Sequence, residues 1–185
     1  MENYLLYIVM CVLLIILPGP DTAIVTKNTL TVSKNAGINT MIGTLFALMI
    51  HTTVAVLGLS AIIVKSAFLF TVIKYIGAIY LIYLGVRTLI ALRKRKAATA
   101  DQVADTKHSS PLLQGFLTNL LNPKVAVFFL TFLPQFVNTQ TDPLVPFFLL
   151  GVTYTVLTAV WFVFYIFLLN QIRLFMNKPQ TQKWM

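Results

Sequence analysis

The sequence predicts an all-α integral membrane protein. Of its 185 residues, 58% are apolar and only 10% are charged, whereas roughly a quarter of the residues of a soluble domain are charged. One helical span uses about 20 apolar residues, so this supply is sufficient for about five spans and leaves no separate soluble domain. The net charge of +9 is typical of basic loops between membrane helices, so nucleic acid is not expected as a partner.

Five apolar segments are long enough to cross a bilayer as helices. The first lacks a basic flank and ends in Pro-Gly-Pro-Asp instead of a cleavage site, which predicts a retained span and not a signal peptide. The predicted spans are residues 4–26, 40–64, 67–91, 112–137 and 144–169.

The loops differ strongly in basic charge. Ten Lys and Arg residues fall in the connections on one side of the predicted helices or in the carboxyl-terminal tail, and only Lys65 falls on the other side. Basic loops stay in the cytoplasm, so we expect an external amino terminus and a cytoplasmic linker at residues 92–110. The linker ends in a stretch rich in Ala, Thr and Ser, which is typical of a flexible connection.

Residues 17–24 can be aligned with residues 120–127 at an offset of 103, matching Leu, Pro and Ala and pairing Asp21 with Lys124. The helix that contains residues 17–24 is predicted to run inward, and the helix that contains residues 120–127 is predicted to run outward. A duplication would therefore be inverted, as in many secondary transporters. Chance similarity between apolar segments is the alternative. The expected organisation is a first three-helix repeat at 1–91, the linker at 92–110, and a second repeat at 111–185 whose last helix is missing.

Prolines interrupt two of the predicted helices. Proline has no amide hydrogen and clashes with the carbonyl four residues earlier, so Pro18, Pro20 and Pro123 should each free one carbonyl. These carbonyls belong to Leu14, Ile16 and Asn119. Hydrocarbon cannot satisfy them, so a broken helix indicates a protein-lined or water-filled cavity. The alternative is a kink that only improves helix packing.

Asp21 and Lys124 lie at the two predicted breaks. A charged side chain at mid-bilayer costs at least about 2.5 to 3.5 kcal/mol, so buried charges of this kind need a partner or water. The functional interpretation is that Asp21 meets a substrate ammonium or carries a proton, and that Lys124 with freed amides meets a carboxylate. The alternatives are a structural ion pair, or a capping Asp21 with a Lys124 that extends to the interface. The candidate substrate-binding residues are Pro18, Gly19, Pro20, Asp21, Asn119, Asn122, Pro123 and Lys124.

His51 lies within the second predicted span and, with Asp21, is a candidate for proton coupling. A histidine that is hydrogen-bonded at a helix interface is the alternative interpretation. Cys11, Asp21 and His51 could ligate an exported metal ion, but their spacing forms no recognisable metal site. The sequence contains no common catalytic signature, so we expect neither an enzyme nor a cofactor.

Several motifs together resemble the LysE/RhtB family of bacterial amino-acid exporters. They are Leu-Pro-Gly-Pro-Asp at 17–21, Gly-Ala-Ile-Tyr-Leu-Ile-Tyr-Leu-Gly at 77–85, Gly-Phe-Leu-Thr-Asn-Leu-Leu-Asn-Pro-Lys at 115–124 and Phe-Leu-Pro-Gln-Phe at 132–136. The resemblance implies a plasma-membrane protein that expels amino acids or their derivatives by using the proton gradient. It also implies a six-helix design, from which this chain departs.

The predicted function is therefore a secondary exporter of amino acids across the bacterial plasma membrane, working by proton-coupled alternating access around the broken helices. Its expected partners are an amino-acid substrate, protons and the lipid bilayer, with homo-oligomerisation an open possibility. A metal-ion exporter is one alternative. A non-transporting membrane partner protein is another, if the shorter second repeat is natural.

Overall fold

The computed structural model describes residues 3–59, 110–137 and 143–176 continuously, together with scattered positions between 68 and 90. All secondary-structure elements in these residues are helical, which confirms the all-α class. The α-helices are α1 (Tyr4–Ile16), α2 (Pro20–Lys27), α3 (Lys34–Val54), α4 (Pro111–Leu120), α5 (Pro123–Val127) and α6 (Leu144–Met176).

Three of these helices continue into wider or tighter turns. π-Helical segments follow α2 at Asn28–Val32, α3 at Ala55–Leu59 and α5 at Phe128–Phe132. A 3-10 turn at Leu133–Phe136 then completes the helix that begins at α5.

Four membrane spans can be formed by the described residues. Lys34–Gly58 and Leu144–Phe175 are single helices that are long and apolar enough to cross a bilayer. The other two are bent pairs, with α1 and α2 inclined at 53° and α4 and α5 at 47°. Each bent pair is long enough to cross only when both of its halves are counted.

Three helix ends differ from the sequence prediction. The first span was expected to end at residue 26, but its helical turns continue to Val32. Polar residues cap or extend the other two. The second span was expected to begin at residue 40, but α3 begins at Lys34, where the Ser33 hydroxyl accepts a hydrogen bond from the Ala36 amide at 3.0 Å. The last span was expected to end at residue 169, but α6 continues to Met176. Arg173 supports this extension by donating to the Val32 carbonyl at 2.7 Å.

The predicted third span at 67–91 lies mostly outside the described residues, although the described positions in it are helical. The predicted linker at 92–110 also lies outside them except for Ser110, whose hydroxyl accepts from the Leu113 amide at the start of α4. The division into a 1–91 repeat and a 111–185 repeat, and the complete three-plus-three design, therefore remain predictions.

The two broken spans run antiparallel to each other. Near one end, the ring of Tyr7 on α1 packs 5.2 Å from that of Phe136. Near the other end, Asn28 after α2 donates to the side chain of Gln114 on α4 at 3.1 Å. The breaks lie side by side between these contacts, and α2 and α5 both restart at a proline, Pro20 and Pro123, which are 103 residues apart. This arrangement agrees with an inverted relation between the first spans of the two halves.

Glycines bring α3 and α4 into backbone contact. A methyl group at Gly43 would collide with the Leu112 carbonyl, and one at Gly115 would collide with the Thr40 carbonyl. Small residues allow this close approach between membrane helices, where packing replaces the hydrophobic effect as the driving force. The contact fixes the position of α4 along the axis of α3.

The last helix, α6, packs along both α1 and α3. Gly151 lies against Thr52 on α3, and further along α6 Phe162 packs with Met41, so α6 and α3 run in opposite directions. Tyr7 on α1 donates through its hydroxyl to the carbonyl of Leu150 at 2.8 Å. These contacts hold the broken first span against a continuous helix.

Aromatic rings fill the core on one side of the helix breaks. Tyr154 on α6 lies 4.7 Å from Phe128 and 5.5 Å from Phe129, measured between ring centres. Tyr7 joins the same cluster 6.3 Å from Phe128. All four side chains are buried, so this cluster closes one end of the space between the two broken spans.

Replacing Gly115 with Ala should destabilise the protein by about 1 to 3 kcal/mol, because the added methyl group overpacks a site bounded by backbone. Thermal denaturation in detergent, followed by fluorescence-detected size exclusion, should therefore show a lower Tm. Gly58→Ala is the matched control, since no described atom lies within 4 Å of a methyl group there. Equal Tm values for the two variants would contradict the proposed closeness of α3 and α4.

Candidate functional site

Both helix breaks expose extended backbone immediately before a helix that restarts at a proline. Gly19 precedes α2 with φ −155° and ψ −174°, and Asn122 precedes α5 with φ −75° and ψ 109°. Proline is well suited to the first position of a helix because its missing amide hydrogen has no partner there in any case. Pro20 and Pro123 therefore start new helices, and Pro18 lies within the first break.

Asn122 links the two breaks through its side chain. Its Nδ2 donates to Oδ2 of Asp21 at 2.7 Å, and its Oδ1 accepts from the backbone amide of Lys124 at 3.0 Å. The second bond caps α5, as asparagine commonly does. One amide side chain thus caps its own helix and holds the acidic side chain of the opposite break.

Lys124 supplies donors to the first break. Its Nζ donates to the carbonyls of Leu14 at 3.0 Å and Leu17 at 3.1 Å. The Leu14 carbonyl is one that Pro18 was predicted to free, so the sequence argument located an acceptor that does take another partner. The side chain is only 9% exposed, and it turns inward to the break instead of extending to the interface.

Gly19 lies next to the Lys124 side chain in the first break. A methyl group at Gly19 would lie 3.4 Å from Nζ of Lys124, at the near limit of ordinary van der Waals contact. Lys124 and Asp21 are held at the same junction through Asn122 and the α1 carbonyls, and not by a hydrogen bond to each other.

His51 meets the second break. The carbonyl of Asn119, which Pro123 was predicted to free, accepts from the Asn122 amide at 2.9 Å and lies 3.3 Å from Nε2 of His51. The imidazole also stacks on Phe129 with ring centres 5.7 Å apart. This is the hydrogen-bonded histidine that was considered as the alternative interpretation. A role in proton coupling stays a prediction.

A small cavity lies beside Asp21 at the junction of the two breaks. The space open to the centre of a water-sized molecule is about 20 Å³, which is room for one or two water molecules and too little for an amino acid. The lining includes polar side chains from five of the helices and an apolar wall. The polar members are Asp21, Thr22, Thr44, Asn119, Lys124 and Thr158, and the larger apolar ones are Ile15, Leu48, Tyr154 and Phe162.

Sequence reasoning identified four residues of this lining and missed the three threonines and the apolar wall. The four are Gly19, Asp21, Asn119 and Lys124, and the missed threonines are Thr22, Thr44 and Thr158. One signal was available for Thr44, which precedes His51 by seven residues. Two helical turns place both on the same face of α3. Threonine is common in membrane helices, so this spacing alone does not distinguish it.

The possible metal ligands are not assembled into a site. Cys11 is fully buried in the core that also contains Tyr7. In the parts of the chain that the structure describes, no group of three His, Cys, Asp or Glu side chains could hold a metal ion. Cys11, Asp21 and His51 therefore do not form a common ligand set.

Known proteins resemble the chain along nearly its whole length. It is 36% identical to the uncharacterized membrane protein YrhP of Bacillus subtilis (strain 168), with 99% of this chain and 90% of that protein covered. It is 34% identical to a leucine efflux protein of Klebsiella pneumoniae, covering 89% of this chain and 77% of the relative. A leucine efflux protein of Salmonella typhimurium is 28% identical, with the same two shares covered.

No solved structure matches the chain significantly. The family model described as LysE type translocator matches residues 12–185, a range that includes both helix breaks. The motifs that suggested a LysE/RhtB exporter are thus accompanied by a match over almost the entire sequence. The chain belongs to the LysE family of membrane translocators.

Proposed function

We propose that this chain is a secondary active exporter of an amino acid or an amino-acid derivative across a bacterial plasma membrane. Membership of the LysE family and similarity to leucine efflux proteins support an amino-acid exporter. The observation that carries the mechanism is the meeting of two helix breaks around the buried carboxylate of Asp21. Broken helices that face each other in antiparallel spans are a recurring way to build a transporter site.

Asp21 is the proposed partner of the substrate ammonium. It is 8% exposed, its Oδ2 is held by Asn122, and its Oδ1 has no hydrogen-bond partner among the described residues. A buried carboxylate oxygen without a donor is strongly destabilised in hydrocarbon. An arriving ammonium would relieve that cost, which favours binding at this position.

Lys124 is the proposed partner of the substrate carboxylate and also the device that couples binding to movement. An ammonium group has three N–H donors, and two of those of Lys124 are used by the carbonyls of Leu14 and Leu17. A substrate carboxylate that attracts Nζ would compete with those carbonyls. Binding would thereby weaken the contact that holds the two breaks together.

The size of the cavity supports the proposed alternating access. The space beside Asp21 has room for water but not for an amino acid, so the described arrangement is not the one that accepts the substrate. Admission of substrate requires the broken spans to separate on one side. Pro18, Pro20 and Pro123 interrupt the helical hydrogen bonds at this junction, and Gly19 supplies a backbone that can change conformation without a Cβ penalty.

Proton entry is the proposed energy source, with Asp21 and His51 as the titrating groups. His51 contacts the carbonyl of Asn119, and the side chain of Asn119 lines the cavity with Asp21. A change of protonation at either group therefore acts on the same junction. The amino terminus is placed outside and residues 92–110 in the cytoplasm by the distribution of basic residues.

Asp21→Asn should reduce amino-acid export by at least about tenfold, because a hydrogen bond to a charged group contributes roughly 1.5 to 3 kcal/mol. The measurement is efflux of preloaded labelled leucine from proteoliposomes. Asparagine keeps the shape and an oxygen for Asn122, so folding should be preserved. Asp142→Asn is the matched control outside the predicted spans. Normal export by the Asp21 variant, with equal expression, would remove Asp21 from the site.

Lys124→Met should lower both the Tm and the export rate. Methionine fills a similar volume but leaves the Leu14 and Leu17 carbonyls without donors, at a cost of about 1 to 3 kcal/mol for each. Lys27→Met makes the same change at an exposed lysine and should have little effect. A Lys124 variant as stable as that control would show that the break does not depend on the lysine.

His51→Gln should retain stability, because the glutamine amide can still donate to the Asn119 carbonyl, but should lose the dependence of export on a pH gradient. Efflux is measured with and without an imposed inward proton gradient. We expect stimulation in the wild type and none in the variant. Equal stimulation in both would exclude His51 as the coupling residue, and none in either would exclude proton coupling.

A further inference from the structure

Three buried oxygen atoms at the cavity have no partner that meets hydrogen-bond geometry within the described part of the chain, and the side chain of Asn119 also interacts electrostatically with the Asp21 carboxyl. They are Oδ1 of Asp21, Oγ1 of Thr44 and Oδ1 of Asn119. These residues come from α2, α3 and α4 and line the same cavity. Their exposures are 8%, 0% and 2%, so bulk water does not supply the missing donors.

Thr44 differs from the other buried threonines in the described part of the chain. Ten described threonine hydroxyls donate to the carbonyl four residues earlier, the usual way to satisfy a hydroxyl inside a helix. The corresponding acceptor for Thr44 is the carbonyl of Thr40, and Gly115 packs directly on that carbonyl. The close contact between α3 and α4 therefore accounts for a Thr44 hydroxyl that is left for another partner.

The three unpaired oxygens have the chemistry of a cation receptor, beside a Lys124 ammonium that lines the same cavity and donates to the carbonyls of Leu14 and Leu17. A carboxylate oxygen supplies negative charge, and a hydroxyl and an amide oxygen supply neutral acceptors. A primary ammonium carries one positive charge and three N–H donors, which matches the three oxygens in number. A water molecule offers only two donors and does not offset the charge.

The size of the cavity limits what can enter. The space of about 20 Å³ accommodates an ammonium head but not the rest of an amino acid. The neighbouring wall contains Leu48 and Phe162, so the atoms beyond the head group would meet apolar side chains.

We propose that Asp21, Thr44 and Asn119 form a receptor for the primary ammonium of the exported substrate, and that Thr44 makes it selective against N-alkylated amines. This inference rests on the proposed function and adds a specificity residue to it. Replacing one N–H by N–CH₃ would leave one of the three oxygens without a donor and place a methyl group against it. N-Methylated amino acids should therefore be poor substrates.

The test is transport of leucine and N-methylleucine by reconstituted wild type, Thr44→Val and Thr52→Val. Both substitutions remove a buried hydroxyl from α3, but the Thr52 hydroxyl is already satisfied by the Leu48 carbonyl at 2.9 Å. Thr44→Val should raise KM for leucine about tenfold, the loss expected for one hydrogen bond to a charged group. It should also reduce the preference for leucine over N-methylleucine, whereas Thr52→Val should leave both unchanged.

Equal transport of leucine and N-methylleucine by the wild type would overturn the proposed receptor. This outcome does not depend on whether any variant folds. The same conclusion follows if Thr44→Val matches Thr52→Val, and in both cases transport of leucine by the wild type leaves the proposed function intact.

A binding measurement separates the receptor from the transport function. Methylammonium chloride should raise the Tm of purified wild type but not of Thr44→Val, relative to potassium chloride at equal ionic strength. That result would support the receptor even if no amino acid were exported. Stabilisation by sodium chloride without an effect of methylammonium would assign the oxygens to an alkali cation and overturn the proposal.

Discussion

The hydrogen bonds from Lys124 to the carbonyls of Leu14 and Leu17 are the constraint on which the rest of the site depends. Two prolines remove amide donors from the first span, and hydrocarbon offers no replacement. The donors come from the opposite break, on the Lys124 side chain, which passes next to Gly19. The bend of 53° in the first span is thus stabilised by the second, and neither break is an independent local kink.

The two breaks are similar in backbone and different in chemistry. The offset of 103 residues pairs Asp21 with Lys124 and Gly19 with Asn122, so antiparallel packing brings an acidic break against a basic one. Lys124 donates two hydrogen bonds to backbone carbonyls of the first span. Asp21, in contrast, has one carboxylate oxygen without a hydrogen-bond partner among the described residues. This unpaired oxygen is the reason for proposing a positively charged ligand in the cavity between them, although the two charges are formally balanced.

Much of this site follows from rules that act on neighbouring residues. The stereochemistry of proline predicted that the carbonyls of Leu14 and Asn119 would lack their usual helical donors. In the structure, Lys124 contacts the Leu14 carbonyl and His51 contacts the Asn119 carbonyl. The free-energy cost of a charged side chain within the bilayer identified Asp21 and Lys124 as candidate site residues. Thr44 could not be found in this way, because no rule for neighbouring residues predicts which buried threonine lacks its usual carbonyl partner. The contact of Gly115 with the Thr40 carbonyl is likewise a property of the packed helices. The early start of α3 at Lys34 was missed because hydropathy does not register the Ser33 cap.

The cavity is closed on its two sides by different chemistry, and this difference bears on which side opens at lower cost. On one side, Asn28 donates to Thr40 at 2.8 Å and to Gln114 at 3.1 Å, bonds that entering water can replace. On the other side, Tyr7 packs against Phe128 and Phe136, and separating these rings exposes apolar surface at about 25 cal/mol per Å². For the alternating access proposed above, we therefore expect the polar contacts beside Asn28 to separate before the aromatic ones. The distribution of basic residues predicts that the side of Asn28 is the cytoplasmic side, from which an exporter must receive its substrate.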